Sequence, residues 1–114
     1  LSLVSFQLVN LKRPKENMQR IDFTNHSVEL SEAEVQLEMG NRFYHGFGVH
    51  KNRGEAFRWY SKAAKQGNAD AQKHLGSCYY NGEGIPQNHT EAVKWYLKAA
   101  EQGNADAQYN LGRL

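Results

Sequence analysis

The sequence repeats itself with a period of 36 residues. Residues 33–68 and 69–104 are identical at 17 of their 36 aligned positions, and residues 105–112 begin a third copy. A period of roughly 20 to 50 residues is typical of solenoids and similar arrays. In such arrays each unit packs mainly against its neighbours, so the period constrains the class of fold more than any single residue does.

Each copy carries the start and stop signals of two helices. Ser31-x-x-Glu34 has the form of a capping box, and in Asn52-x-x-Glu55 an asparagine N-cap precedes a glutamate at N3. Gly46 follows an apolar run and ends a helix, because glycine takes the left-handed conformation without a Cβ clash. These signals predict an all-α fold with helices near residues 32–45, 53–66, 69–81, 89–102 and from 105 onward.

Glycines recur in the middle of the first helix of each copy. Gly40 and Gly76 occupy equivalent positions, where glycine costs roughly 1 kcal/mol relative to alanine. A cost that recurs implies a compensating contact, and we expect the close approach of a neighbouring helix, with Ala56 or Ala92 opposite the glycine.

Aromatic pairs recur in the second helix of each copy, at Trp59-Tyr60 and Trp95-Tyr96. Aromatic residues on the apolar face of a helix are normally core residues. We therefore expect these side chains to fill the space between layers, where each buries on the order of 150 to 250 Å². The alternative is a box of rings that stacks on a ligand.

The composition excludes several classes of protein. Hydrophobic residues make up 39% and charged residues 23% of the chain, which is typical of neither a disordered nor a membrane protein. The formal net charge of +2 is too small to predict nucleic acid as a partner. Cys78 is the only cysteine, so an intrachain disulfide is excluded. The cytoplasm is slightly favoured, and the periplasm and secretion remain as alternatives.

Residues 1–32 stand apart as a non-repeat or degenerate segment. Residues 1–11 are rich in Leu, Val and Phe, and residues 12–15 read Lys-Arg-Pro-Lys. A signal peptide carries its positive charge before its apolar region, whereas here the charge follows. The segment is therefore interpreted as a cover for the exposed end of the array, with a remnant of an export signal or anchor as the alternative. Phe23 aligns with Trp59 and is the one aromatic match to the repeat.

The repeated motif resembles that of a known family. The pattern is Ala-x-x-Gln-x-x-x-Gly, then Tyr-x-Gly-x-Gly, then Glu-Ala-x-x-Trp-Tyr-x-Lys-Ala-Ala-x-Gln-Gly-Asn. It resembles the Sel-one-like repeat, a relative of the tetratricopeptide repeat, over Ala33 to Leu114, which is about two and a quarter repeats. We divide this part into residues 33–68, 69–104 and 105–114.

The resemblance implies a fold and a kind of function. It implies an α-solenoid of antiparallel helix pairs stacked into a right-handed superhelix. It also implies a function as an adaptor that assembles protein complexes, which in bacteria includes signalling or contact with host cells. The family shares no catalytic motif. In a cysteine-rich secreted branch of the family, a disulfide cross-links each repeat. This chain departs from that branch, because Cys78 is its single cysteine.

His74 and Cys78 form the one pair that suggests reaction chemistry. They lie at i and i+4 of a helix, a spacing that can place two ligands on a metal, but zinc sites need three or four protein ligands. A nucleophilic Cys78 would need an activating base, for which His74 is the candidate. A hydrolase that uses this pair is therefore the alternative function. The preferred interpretation is a half-buried Cys78 at the position that Arg42 holds one repeat earlier, with no metal and no cofactor.

Two other patterns receive structural interpretations. The Gly-x-Gly segments that begin at Gly46 and Gly82 follow helices rather than strands, so they predict turns and not a nucleotide site. A basic ridge shares helices with several glutamates, and we interpret it as a solvated outer face. Its residues are Arg58, Lys62, Lys65, Lys94 and Lys98.

The preferred function is binding of a protein or peptide partner, without nucleic acid or membrane insertion. Repeat proteins bind along the concave face, which tetratricopeptide-like arrays line with the first helix of each pair. Polar residues of those helices that lie off the apolar stripe vary between copies, which suits a specialised surface, and Lys73 and Tyr109, which replace Leu37 at the edge of the stripe, could join them. They are Glu38, Asn41, His45, Lys73, His74, Ser77, Asn81, Tyr109, Asn110 and Arg113. A structural spacer in a longer array and self-association through the array ends are the remaining alternatives.

Overall fold

The structure, a computed structural model, describes residues 29–114. The predictions for the N-terminal segment, including the match at Phe23, lie outside these residues except at their last few positions. The described part forms five helices and no strand, as predicted. They are α1 (Glu32–His45), α2 (Arg53–Lys65), α3 (Ala69–Asn81), α4 (His89–Glu101) and α5 (Ala105–Gly112).

Local capping sets the helix boundaries. Glu34 N–H donates to Ser31 Oγ at 3.1 Å and Ser31 N–H donates to Glu34 Oε1 at 2.8 Å, which completes the predicted capping box. Asparagine caps each of the four helices that follow, as when Glu55 N–H donates to Asn52 Oδ1 at 3.0 Å. Gly46 ends α1 with φ 80°, in the left-handed region. The predicted boundaries are therefore confirmed to within about two residues.

Each helix packs chiefly on the next one along the chain, which produces a one-dimensional stack. The core between the layers consists largely of alanine, because small side chains let the helices approach closely. Fully buried alanines are Ala56, Ala63, Ala64, Ala71, Ala92, Ala99 and Ala107.

The atoms nearest to the mid-helix glycines belong to tyrosine rings. A β-carbon built on Gly40 would lie 2.6 Å from Tyr60 Cδ1, and one on Gly76 would lie 2.7 Å from Tyr96 Cδ1. The expected close approach is therefore present, and the residue nearest to each glycine is a tyrosine of the neighbouring helix instead of the alanine expected there. A tyrosine ring needs the space that the missing β-carbon leaves, so each glycine provides room for the ring that packs on it. We call Gly40 with Tyr60, and Gly76 with Tyr96, the two glycine–tyrosine contacts.

Within each aromatic pair, tyrosine is the buried residue. Tyr60 is 1% and Tyr96 3% exposed, whereas Trp59 and Trp95 lie at intermediate exposure. Lys62 Nζ lies 4.7 Å from the centre of the Trp59 ring, on the solvent side. The expectation that the aromatic pairs fill the space between layers is therefore confirmed for the tyrosines and met only in part by the tryptophans, since Trp95 packs at the edge of the core while keeping intermediate exposure.

A polar cluster joins the first two repeats. Glu83 Oε2 accepts from Arg53 Nη1 at 2.9 Å, and Glu83 Oε1 accepts from the Tyr44 hydroxyl at 3.0 Å. The Arg53 guanidinium carbon also lies 3.9 Å from the centre of the Tyr44 ring. Since Glu83 follows α3 while Tyr44 and Arg53 belong to the first helix pair, this cluster fixes how one repeat sits on the other.

Candidate partner-binding groove

The first helices of the three repeats share an open depression of about 350 Å³. Residues from α1, α3 and α5 form most of its lining, together with one tyrosine of α2. They are Tyr44, His45, Tyr60, Lys73, His74, Ser77, Asn81, Asp106 and Asn110. Six of the predicted partner-binding residues thus come together on one side of the stack.

A second depression of about 190 Å³ continues the first toward the end of the chain. Both depressions include Ser77, Asn81 and Asn110, and the second adds Arg113. We call the two together the first-helix groove. Its lining residues also include Tyr80, Tyr96 and Leu114.

Three predicted residues do not line this groove. Glu38 pairs with Arg42 at 3.3 Å along the exposed side of α1. Tyr109 is 67% exposed, and the Arg113 guanidinium carbon lies 5.5 Å from the centre of its ring. Asn41 accepts a hydrogen bond from the Tyr60 hydroxyl at 2.8 Å. Position on the helix wheel could not reveal this bond, because its partner lies on another helix.

Asn41 and Ser77 form hydrogen bonds with the hydroxyls of the tyrosines that pack on Gly40 and Gly76. The Tyr96 hydroxyl and Ser77 Oγ lie 2.9 Å apart, which matches the bond between the Tyr60 hydroxyl and Asn41. Both side chains therefore stabilise the layer beneath the groove, and Ser77 also lines it.

Asp106 contributes a charge to the groove that was not predicted. Lys73 Nζ lies 3.3 Å from Asp106 Oδ2, so the pair connects α3 and α5. Asp106 lies in the first turn of α5, where the helix dipole favours negative charge. One feature of the sequence could have indicated this pair. The second repeat has Lys73 at the position that Leu37 holds in the first, which introduces a cation beside the Asp106 carboxylate.

His74 is held neutral in the floor of the groove. Its ring stacks on Tyr60 with centroids 4.7 Å apart and an interplanar angle of 15°. Burial, and to a smaller degree the charge of Lys73, lower the pKa of His74 to about 4. The imidazole is therefore uncharged at neutral pH and contributes a flat polar surface.

Cys78 lies buried beside Tyr60 and Ala56 at 1% exposure, so the expectation of a half-buried cysteine is wrong. Stacking of the second repeat on the first encloses this position, whereas Arg42 at the aligned position is exposed. Burial raises the pKa of the Cys78 thiol to about 12, which keeps it protonated. With a weakly basic His74, the pair lacks the activated thiolate that the hydrolase alternative requires.

The outer ridge forms a wider but less enclosed surface. A depression of about 610 Å³ runs along it, yet every lining residue belongs to α2, so a single helix forms its floor and no second element forms a wall. Two of its cations pair with a glutamate of their own helix, and Arg58 Nε lies 3.5 Å from Glu55 Oε2. Lys94 Nζ similarly lies 3.6 Å from Glu91 Oε2. We therefore favour the first-helix groove over this larger surface.

Residues 29–114 lack both a cluster of metal ligands and a helix of membrane-spanning character. No group of three or more His, Cys, Asp or Glu side chains there is placed to hold a metal ion. None of the helices in the same range has the length and apolar character needed to cross a membrane.

Stacked helix pairs with a groove along their first helices define a helical repeat protein, an α-solenoid. The model of the Sel1 repeat family matches residues 33–68, 69–104 and 105–114, and the chain belongs to that family. Sel1 repeats generally act as protein–protein interaction modules, and proteins of the family are generally non-enzymatic scaffolds. No curated protein matches the chain.

Solved structures of bacterial Sel1-type proteins resemble this chain. A Sel1 repeat protein from Oxalobacter formigenes is 48% identical, with a TM-score of 0.71 over 73% of this chain and 34% of that one. A protective antigen of uropathogenic Escherichia coli with an SLR fold is 34% identical, with a TM-score of 0.70 over 71% of this chain and 17% of that one.

Cysteine rich protein B of Helicobacter pylori is 32% identical, with a TM-score of 0.65 over 72% of this chain and 59% of that one. The chain therefore spans between 17% and 59% of the length of these three proteins.

Proposed function

We propose that this chain is an adaptor module that binds an extended segment of a partner protein in the first-helix groove. The observation that carries the proposal is the continuity of the groove across the first helices of all three repeats. A continuous groove of this kind can follow a peptide over several residues, which a pocket within one repeat cannot do.

The chemistry of the groove suits a peptide backbone. Asn81 and Asn110 each present a carboxamide that both donates and accepts hydrogen bonds, as a backbone amide requires. Lys73 and Asp106 neutralise each other in the middle, and Arg113 adds positive charge toward the C-terminal end. We therefore expect a partner segment whose acidic side chain lies near Arg113.

The relatives support a setting for this adaptor. The solved structures come from bacteria, and one of them is described as a protective antigen of uropathogenic E. coli. These origins support the proposal that the module acts as a scaffold in bacterial signalling or host-interaction complexes and not as an enzyme. Selection from a library of bacterial protein fragments and from one of animal cell-surface fragments distinguishes the two settings by which library yields binders.

The test is peptide selection followed by titration. Random peptides displayed on phage are selected on the full chain, and the affinity of a selected peptide is measured by fluorescence anisotropy. We expect Asn81→Ala and Asn110→Ala each to weaken binding by about tenfold or more, as for a lost, largely buried hydrogen-bond pair. Thermal melts should stay close to those of the wild type, because both changes are near the surface.

The matched control is the outer ridge. Reversing the charges of Lys62, Lys94 and Lys98 to glutamate should leave the affinity unchanged. Loss of binding in this control, with binding retained in the groove variants, would assign the outer ridge as the binding face. A selection that yields no groove-dependent peptide would favour the structural spacer. His74 is not used as a probe, because its removal would also disturb the stack on Tyr60.

A further inference from the structure

The first-helix groove contains the same arrangement twice, one repeat apart. In the first, the His74 ring stacks on the Tyr60 ring with centroids 4.7 Å apart. In the second, Asn110 stands in place of His74 and Tyr96 in place of Tyr60, because the period of 36 residues relates the two pairs. Asn110 and Tyr96 both line the smaller depression, of about 190 Å³. We call the two places the first and the second tyrosine site.

The linings of the two sites correspond residue by residue. Four residues of the larger depression each have their counterpart, 36 positions further on, in the smaller one. The first set is Tyr44, His45, Tyr60 and His74, and the second set is Tyr80, Asn81, Tyr96 and Asn110. The period of the array therefore sets the position of the second site, since its equivalent lies between α1 and α3.

The two sites differ in what lies on the tyrosine. His74 covers one face of the Tyr60 ring, at an interplanar angle of 15°. Asn110 has no ring, and within residues 29–114 no other ring stacks on Tyr96. The depression of about 190 Å³ beside Tyr96 has room for about six water molecules, at about 30 Å³ each. The change from histidine to asparagine therefore leaves the second site open to a small group.

Hydrogen-bond donors converge on this open site. The carboxamides of Asn81 and Asn110 line it, together with the guanidinium of Arg113. Within residues 29–114 these three side chains form no hydrogen bond or ion pair, so their donors are available to a ligand. Arg113 is also the one charged side chain among the described lining residues. The site therefore offers several donors and one positive charge, with no carboxylate of its own.

The floor of the second site adds a further donor. The hydroxyls of Ser77 and Tyr96 lie 2.9 Å apart, and when Tyr96 donates, the Ser77 proton is directed elsewhere. Burial raises the pKa of Tyr96, while the hydrogen bond to Ser77 and the charge of Arg113 oppose that rise. The guanidinium therefore acts on the floor of the site and not only on its rim.

We infer that the second tyrosine site is the part of the groove that binds a carboxylate of the partner, and that Asn110 is the residue that keeps it open. The inference rests on the proposed function and identifies where an acidic group is recognised. A carboxylate carries one negative charge to pair with Arg113, and its two oxygens accept hydrogen bonds from several donors at once.

The first tyrosine site does not suit a carboxylate in the same way. At the position of Arg113 it has Ser77, and its nearby cation, Lys73, is paired with Asp106 at 3.3 Å. His74 also covers the tyrosine there. One acidic group is therefore recognised along the groove, at the second site.

Small probes test the second site without a peptide. Nitrogen-15 NMR of the full chain follows the side-chain amide signals of Asn81 and Asn110 during three titrations. N-acetylglutamate with an amidated main-chain carboxyl supplies a side-chain carboxylate, N-acetylglycine supplies a terminal carboxylate, and N-acetylglutamine with the same amidation supplies neither. We expect at least one acid to bind about tenfold or more tightly than the neutral amide, and the acid that binds identifies the source of the carboxylate.

Two variants test the residues that form the second site. Asn110→His places an imidazole where His74 stands one repeat earlier, so it should cover Tyr96 and abolish binding of the acid. Its unfolding midpoint should not fall, because the ring gains a stacking partner. Arg113→Gln adds no ring and should weaken the acid by about tenfold or more. Arg58→Gln is the matched control, since it removes an exposed arginine from the outer ridge and should change nothing.

Other outcomes overturn the inference. The carboxylate site is excluded if neither acid binds more tightly than the neutral amide, or if Asn110→His and Arg113→Gln both leave the acid bound as before. A groove-dependent peptide whose acidic residue can be replaced by its amide without loss of affinity also excludes it, while the proposed function stands. Acid binding at the second site without any groove-dependent peptide would contradict the proposed function alone.

Discussion

The ring of Tyr96 occupies the space where a β-carbon on Gly76 would stand, with Tyr96 Cδ1 2.7 Å from that position. The same relationship holds between Tyr60 and Gly40. This contact explains why glycine, which weakens a helix, recurs at the centre of α1 and α3. Any other residue at that position would have a β-carbon, and the tyrosine ring could then not approach the helix so closely.

Gly76→Ala should therefore destabilise the protein although alanine is the better helix former. A methyl group would meet a buried ring that has no room to move, and overpacking costs typically 1 to 3 kcal/mol. After the gain in helix propensity, we expect a net loss of about 1 to 2 kcal/mol. Urea unfolding followed by circular dichroism measures it.

Gly112→Ala is the matched control for this change. It occupies the aligned position without a ring against it, so it should be neutral or stabilising by up to about 1 kcal/mol. Equal changes in stability at Gly76 and Gly112 would show that the contact between Tyr96 and Gly76 does not determine the effect of the substitution.

Tyr60→Ala should cost much more stability than Trp59→Ala, although the two residues are neighbours. Tyr60 is 1% exposed, and loss of a buried aromatic ring costs about 3 to 5 kcal/mol. Trp59 lies partly in solvent beneath Lys62, so we expect less than half that loss. Thermal and urea melts of both variants decide the order, and a larger effect at Trp59 would place the tryptophan in the core instead.

Glu83→Gln should weaken the attachment of the second repeat to the first. The change removes the charge that holds Arg53, at 2.9 Å, in a partly buried site. We expect the free energy of unfolding to fall by about 1 to 2 kcal/mol. This is at the low end for charge-assisted hydrogen bonds, because Arg53 is partly exposed to solvent. Urea unfolding measures the loss.

Glu55→Gln provides the comparison for Glu83, since it removes a charge from the exposed pair with Arg58. Its effect should stay within about 0.5 kcal/mol. If both variants behave alike, the cluster around Glu83 contributes no more than a surface ion pair.

Stability should fall as the solution is acidified through the range in which His74 titrates. The pKa of His74 is lowered from 6.5 to about 4 in the folded protein, so the unfolded chain takes up a proton first. The stabilisation from a neutral His74 is therefore complete above pH 6.5 and is lost progressively down to about pH 4. The full difference corresponds to at most about 3 kcal/mol, and partial exposure reduces it.

His74→Phe isolates this contribution to the pH dependence. Phenylalanine keeps a ring against Tyr60 but cannot bind a proton. The difference in unfolding free energy between wild type and variant should therefore change between pH 7 and pH 4, and a constant difference would show that His74 titrates normally. Asp70, Lys73, His45 and Asp106 are the charged or titratable groups around it, and they are common to both proteins.

Cys78 should react slowly with thiol reagents while the protein is folded. Its thiol is buried and its pKa is raised to about 12, so the reactive thiolate is scarce and shielded. We expect modification by a chromogenic disulfide at pH 8 to be at least a hundredfold slower in buffer than in denaturant. Fast, stoichiometric labelling of the folded chain would restore Cys78 as a candidate nucleophile.

The sequence by itself determined the repeat, the helices and their ends. The period of 36 residues and the caps at Ser31, Asn52 and Asn88 act over a few neighbouring residues, so their effect does not depend on what packs nearby. The period also assigned the polar residues of successive first helices to one side of the stack. This is why most of the predicted partner residues line one groove.

Only the tertiary structure decided which residues those helices enclose. Trp59 and Tyr60 are adjacent on one broad apolar face, and the position of Gly40 on the neighbouring helix selects the tyrosine for burial. Cys78 and Arg42 hold the same place in the repeat, yet Cys78 is enclosed because a preceding helix pair covers it. Burial in a stack depends on the neighbouring unit as well as on the residue, and a periodic pattern describes each unit without showing what lies against it.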